Sequence, residues 1–225
     1  MALTKLLKAD FHMHTKDDPQ DKKFVRHSAE ALIDHAAKLG FEVLSITNHN
    51  KITYSPYLRE YAAVRGILLL PGVEVTVEKK HILLINYLGP LGFKKIEDLK
   101  NIHTPQVLII AAHPFFPAST TLKQKLIDHI DVFDAVEYCH FYLNWINFNR
   151  KAVRISKQYE KPLVGTSDAH TLAQMNHTYT MVEAGKTSSA VVEAIKKGKI
   201  KLVTHALPLR VMYSVFHMFG TSIFR

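Results

Sequence analysis

Short apolar runs alternate with amphipathic stretches along most of this 225-residue chain. Near the start, Leu6 and Leu7 precede a segment in which Phe11 and Met13 alternate with His12 and His14, the pattern of a strand end. Further apolar runs predict strands over 41–47, 67–70, 107–112, 135–138, 163–165, 179–183 and 200–204. Segments 75–77 and 81–85 are separated by only Glu78, Lys79 and Lys80, too short for a parallel crossover, so they are expected to pair as a hairpin. Between the strands, a 3.6-residue period predicts a helix from Ser28 as N-cap to Leu39, with Ala31, Leu32, His35, Ala36 and Leu39 on one stripe. Other helices are expected over 56–65, 96–102, 122–130, 144–159, 189–197 and 208–219.

The rhythm of strand, polar loop and helix argues for a parallel sheet with helices outside. Seven strands with chemistry just past their ends argue for a closed α/β barrel of the TIM type, whose site lies at the C-terminal rim of the strands. No long Pro/Gly/Ser linker marks a boundary. One barrel domain over 1–206 is therefore expected, followed by a C-terminal helix over 207–225. That helix carries Val211, Met212, Val215, Phe216 and Phe219 on one stripe, fit to pack on the barrel or in a homo-oligomer interface.

Composition changes this picture in three ways. The chain is 47% hydrophobic and 22% charged, ordinary for a globular protein. Its net charge of +9 favours anionic partners such as phosphate esters and leaves nucleic acid open. Cys139 stands alone, so no intrachain disulfide or cysteine zinc site is written here. The N-terminus lacks a long apolar core and the run 211–219 is too short to span a bilayer, so a cytoplasmic protein without stable membrane insertion is expected.

The 14 histidines are the compositional anomaly. In a strand, residues i and i+2 share a face, which sets His12 and His14 side by side roughly 7 Å apart at Cα, with Asp10 placed to orient a ring. His49 and His113 follow two other strand ends. Asp168 and His170 repeat the i, i+2 spacing, Glu74 follows a further strand, and His81 begins the returning arm of the hairpin. In a parallel barrel these ends converge. Imidazoles with carboxylates suit Zn, Mn or Fe, and more than five ligands are too many for one tetrahedral ion, so two or three divalent metals are expected.

The stretches Asp10-Phe11-His12-Met13-His14-Thr15, Ile46-Thr47-Asn48-His49-Asn50, Gly72-Val73-Glu74, His81-Ile82-Leu83-Leu84, Ala112-His113-Pro114 and Ser167-Asp168-Ala169-His170 occur in one order. In that order and context the chain resembles the polymerase-and-histidinol-phosphatase (PHP) family over roughly residues 8–171. The resemblance implies a distorted (β/α)7 barrel. It implies a first metal on His12, His14, Glu74 and Asp168, and a second sharing Glu74 and adding His113 and His81. A third would take His49, His170 and a loop group, with Asp18 the first choice and Asp17 or His27 the alternatives. Asn48 stands where the family usually has Asp, so retuning of the site is expected rather than its loss.

The resemblance further implies a metal-dependent phosphoesterase, in which a metal-bridged hydroxide attacks the phosphorus of a small phosphomonoester, nucleotide or short oligonucleotide. Lys16 and Lys51, just beyond ligand motifs, are candidate phosphate contacts, though such lysines are more often solvated. His140 is a candidate acid or substrate contact. The alternatives are a nuclease acting on longer nucleic acid and a catalytically inactive metal-binding regulatory module. His35, His129 and His217 read as helix-surface residues, and His103, His177 and His205 have no partner evident in the sequence.

Overall fold

Three of the helices begin where a hydroxyl satisfies a first-turn N–H, and strands run where apolar residues are dense. The computed structural model describes residues 5–219, without the side chains of 216–219. In chain order the elements are β1 (Lys5–Asp10), α1 (Ala29–Lys38), β2 (Val43–Ile46), α2 (Pro56–Ala63), β3 (Leu68–Val77) and β4 (Lys80–Ile85). Then follow β5 (Leu108–Ala111), α3 (Gln124–Asp128), β6 (Ala135–Cys139), α4 (Arg150–Gln158) and β7 (Leu163–Thr166). The remainder is β8 (Thr178–Ala184), α5 (Ser188–Lys196), β9 (Ile200–Thr204) and α6 (Leu209–Phe219). Ser28, Ser55 and Thr187 cap α1, α2 and α5 by accepting from the N–H groups of Ala31, Leu58 and Ala190.

Among the described residues the strands form one nine-stranded sheet in the order β7-β6-β5-β4-β3-β2-β1-β8-β9. β1, β2 and β3 are parallel, as are β5, β6 and β7, while β4 and β8 pair antiparallel with their neighbours. The sheet is α/β and curls into a nearly closed barrel. At the seam the Gly165 N–H donates to Thr180 Oγ1 at 2.9 Å, and that hydroxyl donates back to the Gly165 carbonyl at 2.9 Å. A Cβ on Gly165 would lie 2.8 Å from the Tyr179 carbonyl and 2.4 Å from Leu202 Cδ1. Gly165→Ala is therefore expected to destabilise the fold by about 1–3 kcal/mol, the usual cost of overpacking. A denaturation midpoint equal to that of the parent would show that β7 does not abut β8 and β9.

Apolar side chains from the strands, among them Leu7, Phe11, Leu70, Leu83, Ile110 and Val164, form one core cluster with Val191, Val192 and Ile195 of α5. A second cluster lies under α3 and α4 and a third under α1 and α2. Leu207, Val211 and Met212 pack with Phe141 and Leu143, which ties α6 to the segment after β6. The rest of the expected α6 stripe, Phe216 and Phe219, lies outside the described side chains, as does His217. No helix among the described residues is long and apolar enough to cross a membrane.

Several element boundaries differ from expectation. The runs 67–70 and 75–77 are one strand, β3, which pairs with both β2 and β4. The sheet thus has nine strands rather than a plain sevenfold repeat. The helix expected over 144–159 is confined to α4. Asn149 donates to the Cys139 carbonyl and accepts from the Cys139 N–H, and Asn147 donates to the Tyr138 hydroxyl. These side chains bind the end of β6, an alternative to helix that Asn readily takes. The 122–130 stretch breaks into α3 and a 3₁₀ turn at Ile130–Val132, and Ile96–Ile102 is also 3₁₀.

Candidate metal centre

Backbone pairing continues past the strand ends and sets the spacing of the histidines. Met13 bridges Ala169 in parallel, and the His14 N–H donates to the Ala169 carbonyl at 3.0 Å. At this rim the end of β1 thus meets the segment after β7 directly, which brings Asp168 and His170 beside His12 and His14. A second bridge, His49 to Glu74, aligns the segment after β2 with β3. His113 and Asp168 both hold positive φ, 24° and 42°, a region that side-chain-bearing residues seldom occupy. Such strain at a cluster of polar groups is characteristic of functional sites. Asn48 binds the Thr15 N–H through Oδ1 at 2.8 Å and donates from Nδ2 to the Thr15 and Thr53 hydroxyls. Its amide therefore clamps the turn after His14, a donor role that aspartate could not fill.

Glu74 lies fully buried at the middle. Its Oε1 is 2.8 Å from His81 Nδ1 and 3.2 Å from His113 Nε2. Its Oε2 is 3.1 Å from His12 Nε2, 3.1 Å from His49 Nε2 and 3.4 Å from His14 Nε2. Each carboxylate oxygen thus faces its own group of imidazoles. Asp168 Oδ1 lies 3.3 Å from both His12 Nε2 and His14 Nε2 and 3.6 Å from His170 Nδ1. Donor atoms close enough to share one ion occur as His12/His14/Glu74, His12/His113/Asp168, His14/Asp168/His170, His49/Glu74/His81 and His14/Asp18/Asp21/His49.

The loop after β1 contributes differently from expectation. Asp18 Oδ2 meets His14 Nδ1 at 2.8 Å, His49 Nδ1 at 2.9 Å and the His49 N–H at 2.8 Å. It grips the sides of those rings that face away from Glu74. Asp21, not singled out from sequence, has Oδ2 3.0 Å from His170 Nε2 and 3.5 Å from His49 Nδ1, and so lies between both rings. The two alternative loop groups stay outside: Asp17 is exposed, and His27 donates from Nε2 to the His14 carbonyl at 2.8 Å.

Two other carboxylates also escaped sequence reasoning in their true roles. Glu137, on β6, has Oε1 2.7 Å from His12 Nδ1, accepts from the Thr166 hydroxyl, and takes the His113 N–H on its other oxygen. The only signal was a lone carboxylate inside the apolar run Ala135-Val136-Glu137-Tyr138-Cys139. Asp10 was expected to orient a ring, but its Oδ1 instead accepts the backbone N–H groups of His12 and Ser167. Burial pushes its carboxyl up to about 7.

Charge in this cluster is tightly coupled. Burial alone would lower the His12 pKa, but Asp168, Glu137 and Glu74 hold it well above the usual imidazole value. Against the same burial, Glu74 and Asp18 raise His49 to about 9. Glu74 is held well below the carboxylate range by His81, His49 and His12, which outweigh its desolvation. A cation entering here must displace protons held by these rings. Metal affinity is therefore expected to rise with pH, still rising through about 9 where His49 gives up its proton, with net proton release. Calorimetric titrations in buffers of different ionisation enthalpy would measure that release, and a pH-independent affinity would contradict it.

A cavity of ≈ 440 Å³ opens onto this cluster, lined by His49, Glu74, His81, His113, Asp168 and His170 among others. His140 lines it too. Gln174 Oε1 accepts from the His170 and Thr171 N–H groups, which turns its amide nitrogen to His140 Nε2 at 3.0 Å. That contact makes Nε2 an acceptor and leaves the proton on Nδ1, which is buried with no hydrogen-bond partner. Burial pushes the ring down to about 3, so His140 is a neutral donor rather than the charged acid that was one expectation. Lys16 and Lys51 do not line the cavity. The Lys16 side chain is exposed, and Lys51 Nζ donates to the Asp17 carbonyl at 3.1 Å, so neither is placed to hold a phosphate.

Residues 147–200 match a family model described as PHP-associated. The chain is 30% identical over 141 residues to an uncharacterized protein of Methanocaldococcus jannaschii, a match covering 57% of this chain and 82% of that one. Among solved structures, PsfC from Pseudomonas syringae PB-5123 aligns with a TM-score of 0.66 at 18% identity, over 94% of this chain and 97% of its own. A candidate metal-dependent phosphoesterase from Bifidobacterium adolescentis ATCC 15703 aligns at 0.57 and 14% identity, over 75% and 89%. An amidohydrolase from Chromobacterium violaceum with bound sulfate and no metal aligns at 0.56 and 14%, over 72% and 87%. At these identities the structural likenesses speak for the fold.

Proposed function

Because the chain belongs to the polymerase-and-histidinol-phosphatase (PHP) family, we propose that it is a metal-dependent hydrolase that cleaves a small phosphate ester. The observation that carries this reading is the placement of Glu74, with two imidazoles against Oε1 and three against Oε2. One carboxylate between two sets of imidazoles, which offer nitrogen lone pairs once their protons are displaced, would suit a bridging ligand between two cations.

The donor set fits such ions. His14 Nε2 is buried without a hydrogen-bond partner, although Glu74 and Asp168 oxygens stand 3.4 and 3.3 Å away. These atoms point at a common centre rather than at one another. His12, His14, Glu74 and Asp168 would hold one Zn, Mn or Fe ion, and Glu74, His81 and His113 a second. A third would take His49 and His170, with Asp21 Oδ2 between their rings and Asp18 orienting His14. When bound, the ions supply Lewis acidity toward the phosphoryl oxygens and lower the pKa of water.

The chain's own groups do the rest. Glu137 holds the His12 proton on Nδ1 and keeps Nε2 turned to the centre, a carboxylate–histidine pairing that strengthens the ring as a ligand. Gln174 fixes the tautomer of His140, a neutral ring on the cavity wall.

The test is inorganic phosphate release from simple monoesters by chain loaded separately with Mn²⁺, Zn²⁺ and Fe²⁺. Turnover that vanishes with chelator supports the reading. Shortening of an oligonucleotide without monoester turnover would favour a nuclease. No turnover with metal bound would favour an inactive metal-binding module.

A further inference from the structure

The cavity lining includes more than the metal-type ligands. Phe24 comes from the loop after β1, Phe116 and Ala118 from the loop after β5, Phe141 from the segment after β6, and Val215 from α6. Phe116 is the centre of this apolar lining. Its ring meets Phe141 edge-on at 5.4 Å and 82°, and Phe148 at 5.7 Å and 83°. Four separate parts of the chain thus bring apolar side chains to the lining of a polar pocket, and Phe116 and Phe141 meet there directly. Among the described residues no lysine or arginine lines the cavity. Lys80 comes near, but its amine is tied to the Ser119 carbonyl. The basic residues that give the chain its charge of +9 therefore lie elsewhere.

A single phosphate can be neutralised at the ligand end of this cavity. A second anionic group would meet phenylalanine and valine or the uncharged Gln20, Ser119 and Thr120, with no cationic partner, and burying an unpaired charge is strongly unfavourable. A flat apolar group, in contrast, would gain from leaving water and from edge or face contact with Phe116 and Phe141. The cavity, at ≈ 440 Å³, has room for a phosphate and one ring system.

Resting on the phosphoesterase reading, we infer that the substrate is a phosphate monoester whose alcohol carries an uncharged aromatic ring seated on the wall of Phe24, Phe116, Phe141 and Val215. The C-terminal helix α6 is then a specificity element, because it supplies part of that wall.

The test uses the full, Mn²⁺-loaded chain with benzyl phosphate, methyl phosphate and 4-carboxybenzyl phosphate. Benzyl alcohol and methanol are closely matched as leaving groups, so their comparison isolates the ring. Benzyl phosphate is expected to exceed methyl phosphate in kcat/KM by about tenfold to a hundredfold, from the apolar area buried. The carboxylate should remove that gain. Phe116→Ala should shrink the benzyl-to-methyl ratio, and Val215→Lys should raise the carboxybenzyl-to-benzyl ratio. Calorimetric binding of benzylphosphonate against methylphosphonate gives a second readout that needs no turnover. Tighter binding of benzylphosphonate without turnover of any ester would overturn the phosphoesterase reading and leave the wall assignment standing. Equal binding of the two phosphonates, or equal kcat/KM for the benzyl and carboxybenzyl esters, would overturn the wall assignment, whatever the catalytic result.

Discussion

Glu74→Gln is expected to strip bound metal from the chain and to lower turnover on the order of a thousandfold. A bridging carboxylate offers an oxygen to each of two cations, whereas an amide offers one oxygen and an NH₂ that repels them. In the structure both Glu74 oxygens are committed, Oε1 toward His81 and His113 and Oε2 toward His12, His14 and His49. The amide nitrogen on one side would therefore have no lone pair to offer a cation shared with those imidazoles. Metal assistance is worth several kcal/mol of barrier, and about 4 kcal/mol corresponds to roughly a thousandfold in rate. Metal content measured alongside kcat separates this account from simple misfolding: the variant should keep its circular dichroism spectrum while losing both. Turnover within about tenfold of the parent would remove Glu74 from the centre of the site.

Glu137→Gln should weaken metal binding by about 10- to 100-fold without removing any ligand. Glu137 is buried beneath the first strand's histidines, accepting from His12 Nδ1, Thr166 and the His113 N–H. Two of these donors, His12 and His113, face opposite oxygens of Glu74, so one substitution should loosen both groups of imidazoles. An amide can accept on one oxygen only, which leaves a buried donor unpaired at a cost of about 1–3 kcal/mol. Two independent readouts follow. The metal dissociation constant should rise, and the urea midpoint of the chelated protein should fall. A shift in the midpoint with unchanged metal affinity would make Glu137 a structural residue alone.

The contrast between these two residues shows what the sequence could disclose. Glu74 was legible because the apolar run 67–70 ends just before it, although β3 runs on through it, and placement just past an apolar run likewise pointed to His12, His14, His49, His113, Asp168 and His170. Glu137 sits inside a strand and meets a ring 125 residues away, a pairing that only the closed sheet creates. Asp17, Asp18 and Asp21 are equivalent as letters. The turn separates them: Asp18 Oδ1 accepts the N–H groups of Gln20 and Asp21, while its other oxygen holds His14 and His49, and Asp21 is left facing His170. The long helix expected over 144–159 failed for a similar reason. Its periodicity was adequate, but Asn147 and Asn149 spend their amides on the end of β6. Lys16 and Lys51 follow ligand motifs in sequence, yet both lie outside the cavity.

The account stands on a polynuclear metal centre built around Glu74, and elemental analysis of the chain purified without chelator tests that most directly. About two or three equivalents of transition metal per chain are expected from the number and grouping of the donors. A content near zero that stays near zero after incubation with Mn²⁺ and Zn²⁺ would contradict it.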